Sequence, residues 1–569
     1  MIRNIDEPGK APISMVSAIE GNITDDSPAR PVVGVEESRQ STCSMVKQAR
    51  SEHQASSGSS TLRMQHTSVR DLDPGLLGEI AERLRPTDLL SMLSTNRRLR
   101  FDTWLSPASR ERCQRAIRVQ AIWARLRGHE PGADRFAARM VPNMIQSLAP
   151  NFNYLTRADQ KGLVALVQRL RDLDDRNSIL IDIGPGLAGL EPDLQEDLVR
   201  FAEGLDQPGE CASAVGALGK GVAGLAPNLQ ERLVSLAEGL DEPEHCASAL
   251  VGVGAGVAGL DRGLQERLVT LAEGIDEPEY CALALWGFGE GLAGLKRDLQ
   301  ERLVRLAERL EDQEHCAAAV EGLAAGVAGL DRELQQCLVS LAEGLEDQED
   351  RASAVQGLAA GVAGLERDLQ ERLVKLAEGL NQVHGAFALQ GFGTGLGGLA
   401  LDLQERLVKL AEGLDQVHGA FALGDLGTGV GGLARELQER LVKLAEGLED
   451  QKHRGTALIG LGAGVAGLAR DLQRRLVRLA EELDQPGDRV AALQGFGEGL
   501  AGLEVDLQRR LVVLADRIQG PHRANALQAL GRGVAELKGE LQGRIAALAD
   551  GLAQPDHRAS ALAALLPRR

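Results

Sequence analysis

The chain has 569 residues and a formal net charge of −19. Residues 1–150 carry 21 Lys+Arg against 17 Asp+Glu, whereas residues 151–569 carry 42 against 65. A segment that acidic repels phosphate backbones, which argues against nucleic acid as a partner. No stretch approaches the ~20 uninterrupted apolar residues of a membrane span, so no membrane partner is expected either.

Residues 1–69 are expected to be disordered. They contain 12 Ser and few large apolar residues, so they cannot bury enough surface to offset the entropy of ordering. Met1–Gly21 carries charges and lacks an apolar core, unlike a cleavable signal peptide. A floppy terminus and an unfolded export signal, of the kind found at the start of bacterial type III effectors, both fit this composition.

Residues 70–105 change character. Leu76, Leu77, Ile80 and Leu84 space out a short amphipathic helix that Pro86 stops. Thr87 or Asp88 can cap a second helix carrying Leu89, Leu90 and Leu93, and a third begins near Asn96. Three short helices make too small a core to stand alone, so the segment docks on its neighbour in the chain or on a partner. It resembles an F-box. The resemblance lies in Leu72, the Leu76-Leu77-x-x-Ile80 helix, Leu84-x-Pro86-x-Asp88-Leu89-Leu90 and the run from Thr95 to Arg100. Asp73 stands where the family usually has proline, Thr95 where Val is usual and Leu99 where Trp is common. The resemblance implies that Leu72, Leu76, Leu77, Ile80, Leu84, Pro86, Leu89, Leu90 and Leu93 bind a Skp1-type adaptor of a cullin ligase. The alternative is an ordinary three-helix cap on the C-terminal solenoid. Residues 106–154 read as a helical linker, rich in Arg and with Ile117, Ile122, Trp123 and Leu126 available for packing.

From 155 to 569 the chain repeats. Leu-Gln recurs at Leu194, Leu229, Leu264, Leu299, Leu334, Leu369, Leu403, Leu437, Leu472, Leu507 and Leu541, with gaps of 34–35 residues and a weaker copy at Asp159-Gln160. Such regularity means one supersecondary unit stacked about twelve times. In one unit Leu369, Leu373, Leu376 and Leu380 form a helical stripe. Asp368 and Glu371 read as a capping box, and Gly379-Leu380 as a left-handed helix end. The second half, as in 351–365, places Val355, Leu358, Val362 and Leu365 at helical spacing with Gly357, Gly361 and Gly364 between them. Each interior Gly costs about 1 kcal/mol in a helix, so the glycines serve close approach of neighbouring helices, and the second helix is expected to be tight, in part 3₁₀ or broken. No half-unit alternates with period two. The expected fold is all-α: a right-handed α-solenoid of two-helix units.

The combination of a Ser-rich start, an F-box-like segment and a long repeat array resembles the F-box effectors that plant-associated bacteria inject into host cells. The GALA effectors are similar in architecture, although their repeats are leucine-rich and shorter. That resemblance implies a protein secreted into a host cell, working in its cytoplasm or nucleus. It would join a host Skp1-type adaptor and cullin ligase to an unknown target protein held by the repeats. Only ten of the 63 basic residues are Lys. A GC-rich genome is the simpler reading, and sparing of ubiquitin-acceptor lysines the sharper one.

No catalytic constellation, phosphate-binding loop or cofactor motif can be assembled from the sequence, so a binding protein without a cofactor is expected. Cys211, Cys246, Cys281 and Cys316 stand one per unit. Successive units on the order of 10 Å apart are too distant to share a zinc, so no metal site is expected, and the thiols read as free and half-exposed. Two second-helix positions four apart vary from unit to unit. Trp286 and Glu290 occupy them in one unit, with Val251 and Glu321 in the adjoining ones. These four are the candidate target-binding residues.

Overall fold

The computed structural model describes residues 148–552, apart from 170–172, 535, 536 and 538, and isolated positions on either side of that span. Among the described residues there are helices, 3₁₀ turns and no strand. Each unit is a first helix of 12–13 residues, a short turn, a second helix and, in most units, a 3₁₀ turn that leads into the next. Arg332–Gly344, Gln348–Ala360 and Val362–Gly364 make one such set. The second half is therefore an α-helix completed by 3₁₀, as its glycine content implies.

The first helix buries one stripe. In Arg367–Glu378 it consists of Leu369, Gln370, Leu373, Val374 and Ala377. Its start differs from the sequence reading. The N-cap is Glu366, with no side-chain bond, so Asp368 lies inside the first turn and does not cap it. Asp368 instead receives Arg332 of the preceding unit at 2.9 Å. Capping by Asp occurs where the carboxylate sits at the N-cap itself, as at Asp261 and Asp331, whose side chains accept the N–H of Leu264 and Leu334. The end differs too. Gly379 has φ −81° and its N–H bonds to the carbonyls of Lys375 and Leu376. It stays in the right-handed region, and Gly520 is the described glycine with positive φ.

The buried Gln of the Leu-Gln pairs from Gln195 to Gln508 ties neighbouring units together. Gln335 Nε2 donates to the carbonyls of Val327 and Leu330, at the end of the preceding unit, both at 3.1 Å, and reaches Gly364, at the end of its own unit, at 3.4 Å. The same donation recurs from Gln195 to Gln508, and Gln160 of the first, weaker copy makes it to Phe152 at 2.9 Å. The Val327 carbonyl also accepts the Leu330 N–H at 3.1 Å, whereas the Leu330 carbonyl, at the extended exit of the 3₁₀ turn, is served by the buried amide.

Neighbouring units join differently on their two sides. Second helices touch backbone to backbone: a β-carbon on Gly252 would overlap the carbonyl oxygen of Gly216. First helices are bridged by long side chains. Arg372 binds Glu343 of the preceding unit and Arg406 binds Glu378, each at 2.6 Å, and Arg232, Arg267, Arg302, Arg440, Arg475 and Arg510 repeat the contact. Arg372, beside Glu371 in the chain, thus reaches across the unit boundary. The closer approach on the glycine side puts the second helices on the inner side of the stack.

The four ladder thiols are buried rather than half-exposed, at 9 % for Cys211 and 3 % for Cys281. Cys246 Sγ donates to Leu240 O at 2.8 Å, and Arg351 Nε makes the equivalent bond to Leu345 O at 3.0 Å. Arg454, Arg489 and Arg558 repeat that bond in later units, so Cys or Arg at this position can satisfy the carbonyl. The linker before the array docks on its first unit through Trp123, which is buried and donates to Asp159 at 2.7 Å.

Candidate protein-binding surface

The second helices leave one face open. In Pro278–Leu292 it carries Glu279, Leu283, Trp286 and Glu290, at i, i+4, i+7 and i+11. Equivalent side chains of adjacent units meet on this face. Gln356 Nε2 donates to Gln390 Oε1 at 2.8 Å, and Arg532 pairs with Glu498 at 2.9 Å. The face is therefore one continuous strip along the inner side of the array.

Trp286 lies on this strip with 51 % of its surface exposed. Its side chain leans over Gly322 of the next unit, where a β-carbon would come within 2.8 Å of Cδ1. Glu290 is exposed, while Val251 and Glu321 are half-buried at the sites equivalent to Trp286 in the flanking units. Burial raises the Glu321 carboxyl above the usual carboxylate range. The structure thus places the four residues on one face, with Trp286 and Glu290 exposed and Val251 and Glu321 half-buried. Leu72, Leu76, Leu77, Ile80, Leu84, Pro86, Leu89, Leu90 and Leu93 lie outside the described residues, as does the whole 1–69 segment.

A second feature of this face escapes the two variable columns. The near-identical runs from Gln382 and Gln416 each begin Gln-Val-His-Gly-Ala-Phe-Ala-Leu. They place Val383 and Phe387 beside Val417 and Phe421 on the open face, with Phe421 54 % exposed. Its signal in the sequence is two Phe in a column otherwise filled by Ser, Ala, Thr, Asn or Leu.

Among the described residues no group of three or more potential metal ligands comes together, and no helix is long and apolar enough to cross a membrane. Burial pushes the thiol of Cys281 up to about 11, and burial with the Glu308 carboxylate pushes that of Cys337 up to about 12. These thiols are poor nucleophiles and poor ligands.

No protein-family model matches the chain, and no curated protein is similar to it. Solved structures with stacked helices are similar. A crystal structure of Kap121p matches at 12% identity over 83% of this chain and 56% of its own, with a TM-score of 0.34. Kap121p bound to Pho4p matches at 12% identity over 80% and 54%, with a TM-score of 0.33. A homology model of the full-length AP-3 complex matches at 11% identity over 86% and 99%, with a TM-score of 0.24. The chain spans little more than half the length of the Kap121p chains it matches.

Proposed function

We propose that the protein is a substrate-recruiting adaptor: the solenoid holds a target protein, and the F-box-like segment 70–105 carries it to a Skp1-type protein and cullin ligase of a host cell. The observation that carries the binding half is the open inner face of the second helices. Large apolar side chains such as Trp286, Phe387 and Phe421 stand exposed there on a closely packed frame, and exposed aromatics of this kind are the usual anchors of protein interfaces. The ligase half rests on the residues of 70–105 alone. Secretion into the host cell belongs to the same proposal and rests on the Ser-rich start.

Co-purification of the full chain with a plant Skp1-type protein tests the ligase half. The double variant Leu76→Ala with Leu89→Ala should lose the adaptor while its circular dichroism stays helical. Unchanged co-purification by the double variant rejects the site. Failure of the unaltered chain to bind leaves a solenoid scaffold that holds its partner without a ubiquitin role.

A further inference from the structure

Between Gly252 and Gly495 the glycine column that brings second helices together is broken at one residue. Gly252, Gly287, Gly322, Gly357, Gly391, Gly460 and Gly495 occupy equivalent sites, and Asp425 stands between Gly391 and Gly460. The helix that carries it, Gln416–Leu426, is short and runs into a six-residue 3₁₀ turn, Gly427–Gly432, where most units have three residues. Asp425 lies one helical turn beyond Phe421, so it adjoins the exposed patch of Val383, Phe387, Val417 and Phe421. Its carboxylate is half-buried and has no hydrogen-bond or ion-pair partner among the described residues. Burial holds it up at about 6.

A second carboxylate is in the same position. Glu321 is half-buried, has no partner among the described residues, and occupies the site next to Trp286 in its column, with Leu283 exposed on the same helix as Trp286. Carboxylates elsewhere in the array are treated differently: those at the boundaries between first helices are held by Arg. A half-buried charge without a partner is unfavourable and invites a counter-ion. The surroundings decide its sign. Between Pro278 and Gly499 the open face carries Lys452 as its one basic residue, against Glu279, Glu290, Glu314, Glu321, Glu349 and Glu498.

We infer that the inner face binds an extended polypeptide segment carrying two basic side chains, each beside large apolar residues: one seats against Asp425 and the Phe387–Phe421 patch, the other against Glu321 and Trp286. The inference rests on the solenoid being the target-binding half of the protein. Three units separate the two carboxylates, a span of roughly 24 Å at about 8 Å per closely packed helix. An extended chain covers that in about seven residues. The tryptophan face adds attraction for a Lys or Arg held over it, and the phenylalanines supply apolar area that a desolvated ion pair alone does not.

Selection of a random twelve-residue peptide display library on the full chain tests this directly. The expected consensus has two Lys/Arg positions about seven residues apart, each flanked by Leu, Ile, Phe or Trp. The double variant Asp425→Asn with Glu321→Gln keeps side-chain shape. It should bind the selected peptide about tenfold more weakly or worse with no loss of thermal stability. Phe387→Ser with Phe421→Ser should abolish the apolar preference at one end only. An acidic consensus, the absence of any consensus, or equal binding by the isosteric double variant overturns the inference. The selection does not involve residues 70–105. A negative adaptor co-purification with a positive selection therefore removes the ligase half alone, and the reverse outcome removes this docking mode alone.

Discussion

Gly252 lies so close against the carbonyl oxygen of Gly216 that a β-carbon there would overlap it. The contact is backbone on backbone, with no flexible side chain to yield. Gly252→Ala gains about 1 kcal/mol of helix propensity and loses more to overpacking, which typically costs 1–3 kcal/mol. A net destabilisation of up to about 2 kcal/mol is expected by urea titration. Gly344 ends a first helix with nothing within 4 Å of its would-be β-carbon, so Gly344→Ala should stabilise by up to about 1 kcal/mol. Equal effects at the two sites would remove close approach as the reason for the glycine column.

Gln335 is a second internal tie. Its Nε2 serves carbonyls at the end of the preceding unit and of its own, and the residue is 4 % exposed. Gln335→Met keeps the volume and removes the donor, leaving buried carbonyls short of a partner. The expected loss is about 1–3 kcal/mol. Hydrogen exchange should localise the added opening to Val327–Gly364 rather than spread it along the array, because each repeat contacts only its neighbours.

The two-helix unit is legible in the sequence because Leu369, Leu373 and Leu376 announce their own period. The role of Gln370 is not: on an apolar stripe it reads as a register mark, and its partners are carbonyls in and just after a 3₁₀ turn that the sequence locates only loosely. Asp368 reads as a cap because Asp inside a first turn and Asp at the N-cap differ by two residues, less than the usual error in a helix boundary. The ladder thiols read as half-exposed because a helix start is usually wet; here they are buried, and Cys246 donates back to Leu240 O at the preceding helix end. On the open face, Trp286 stands out in its column. Phe387 and Phe421 fall in a different column, which joins the same face because i, i+4, i+7 and i+11 lie together on a helix.

Burial and raised pKa should make the ladder cysteines slow to react. Cys281 is 3 % exposed with its thiol up at about 11, and Cys246 donates to Leu240 O. In the native chain at pH 8, iodoacetamide should label Cys211, Cys246, Cys281 and Cys316 far more slowly than in urea, as read by mass spectrometry. Rapid native labelling at Cys281 would show that the second helices open readily. Cys281→Ala, which removes the thiol, should leave peptide binding unchanged.

Trp286 is exposed, so its truncation separates binding from folding. Trp286→Ala should weaken target binding by on the order of 2 kcal/mol, with little loss of thermal stability. An early thermal transition with normal binding would place the ring in the packing between units and move the binding face elsewhere.

Stability should pass through a maximum on the acid side of neutrality. Two sets of carboxyls act in opposite directions. Hydrogen bonds from Arg232, Arg372 and Arg440 hold Glu203, Glu343 and Glu412 below the usual range. A depressed folded-state pKa contributes stability above the unfolded value, about 4.3 for Glu, and that contribution is lost as pH falls through the folded value. Asp425 and Asp182 are raised to about 6, chiefly by burial. A raised carboxyl binds its proton more tightly in the folded chain, so stability is gained as pH falls through about 6 and is complete below the unfolded value, about 3.9 for Asp. Thermal melting followed by circular dichroism should therefore rise from pH 7 to about 5 and fall steeply below about 4. Asp425→Asn should flatten the rise and leave the acid fall in place, since the Arg–Glu ladder is untouched. A melting temperature that falls monotonically from pH 7 downward, in both the native chain and Asp425→Asn, would mean that Asp425 is solvated and charged as an ordinary surface carboxylate. In that case it offers no special site to a basic partner.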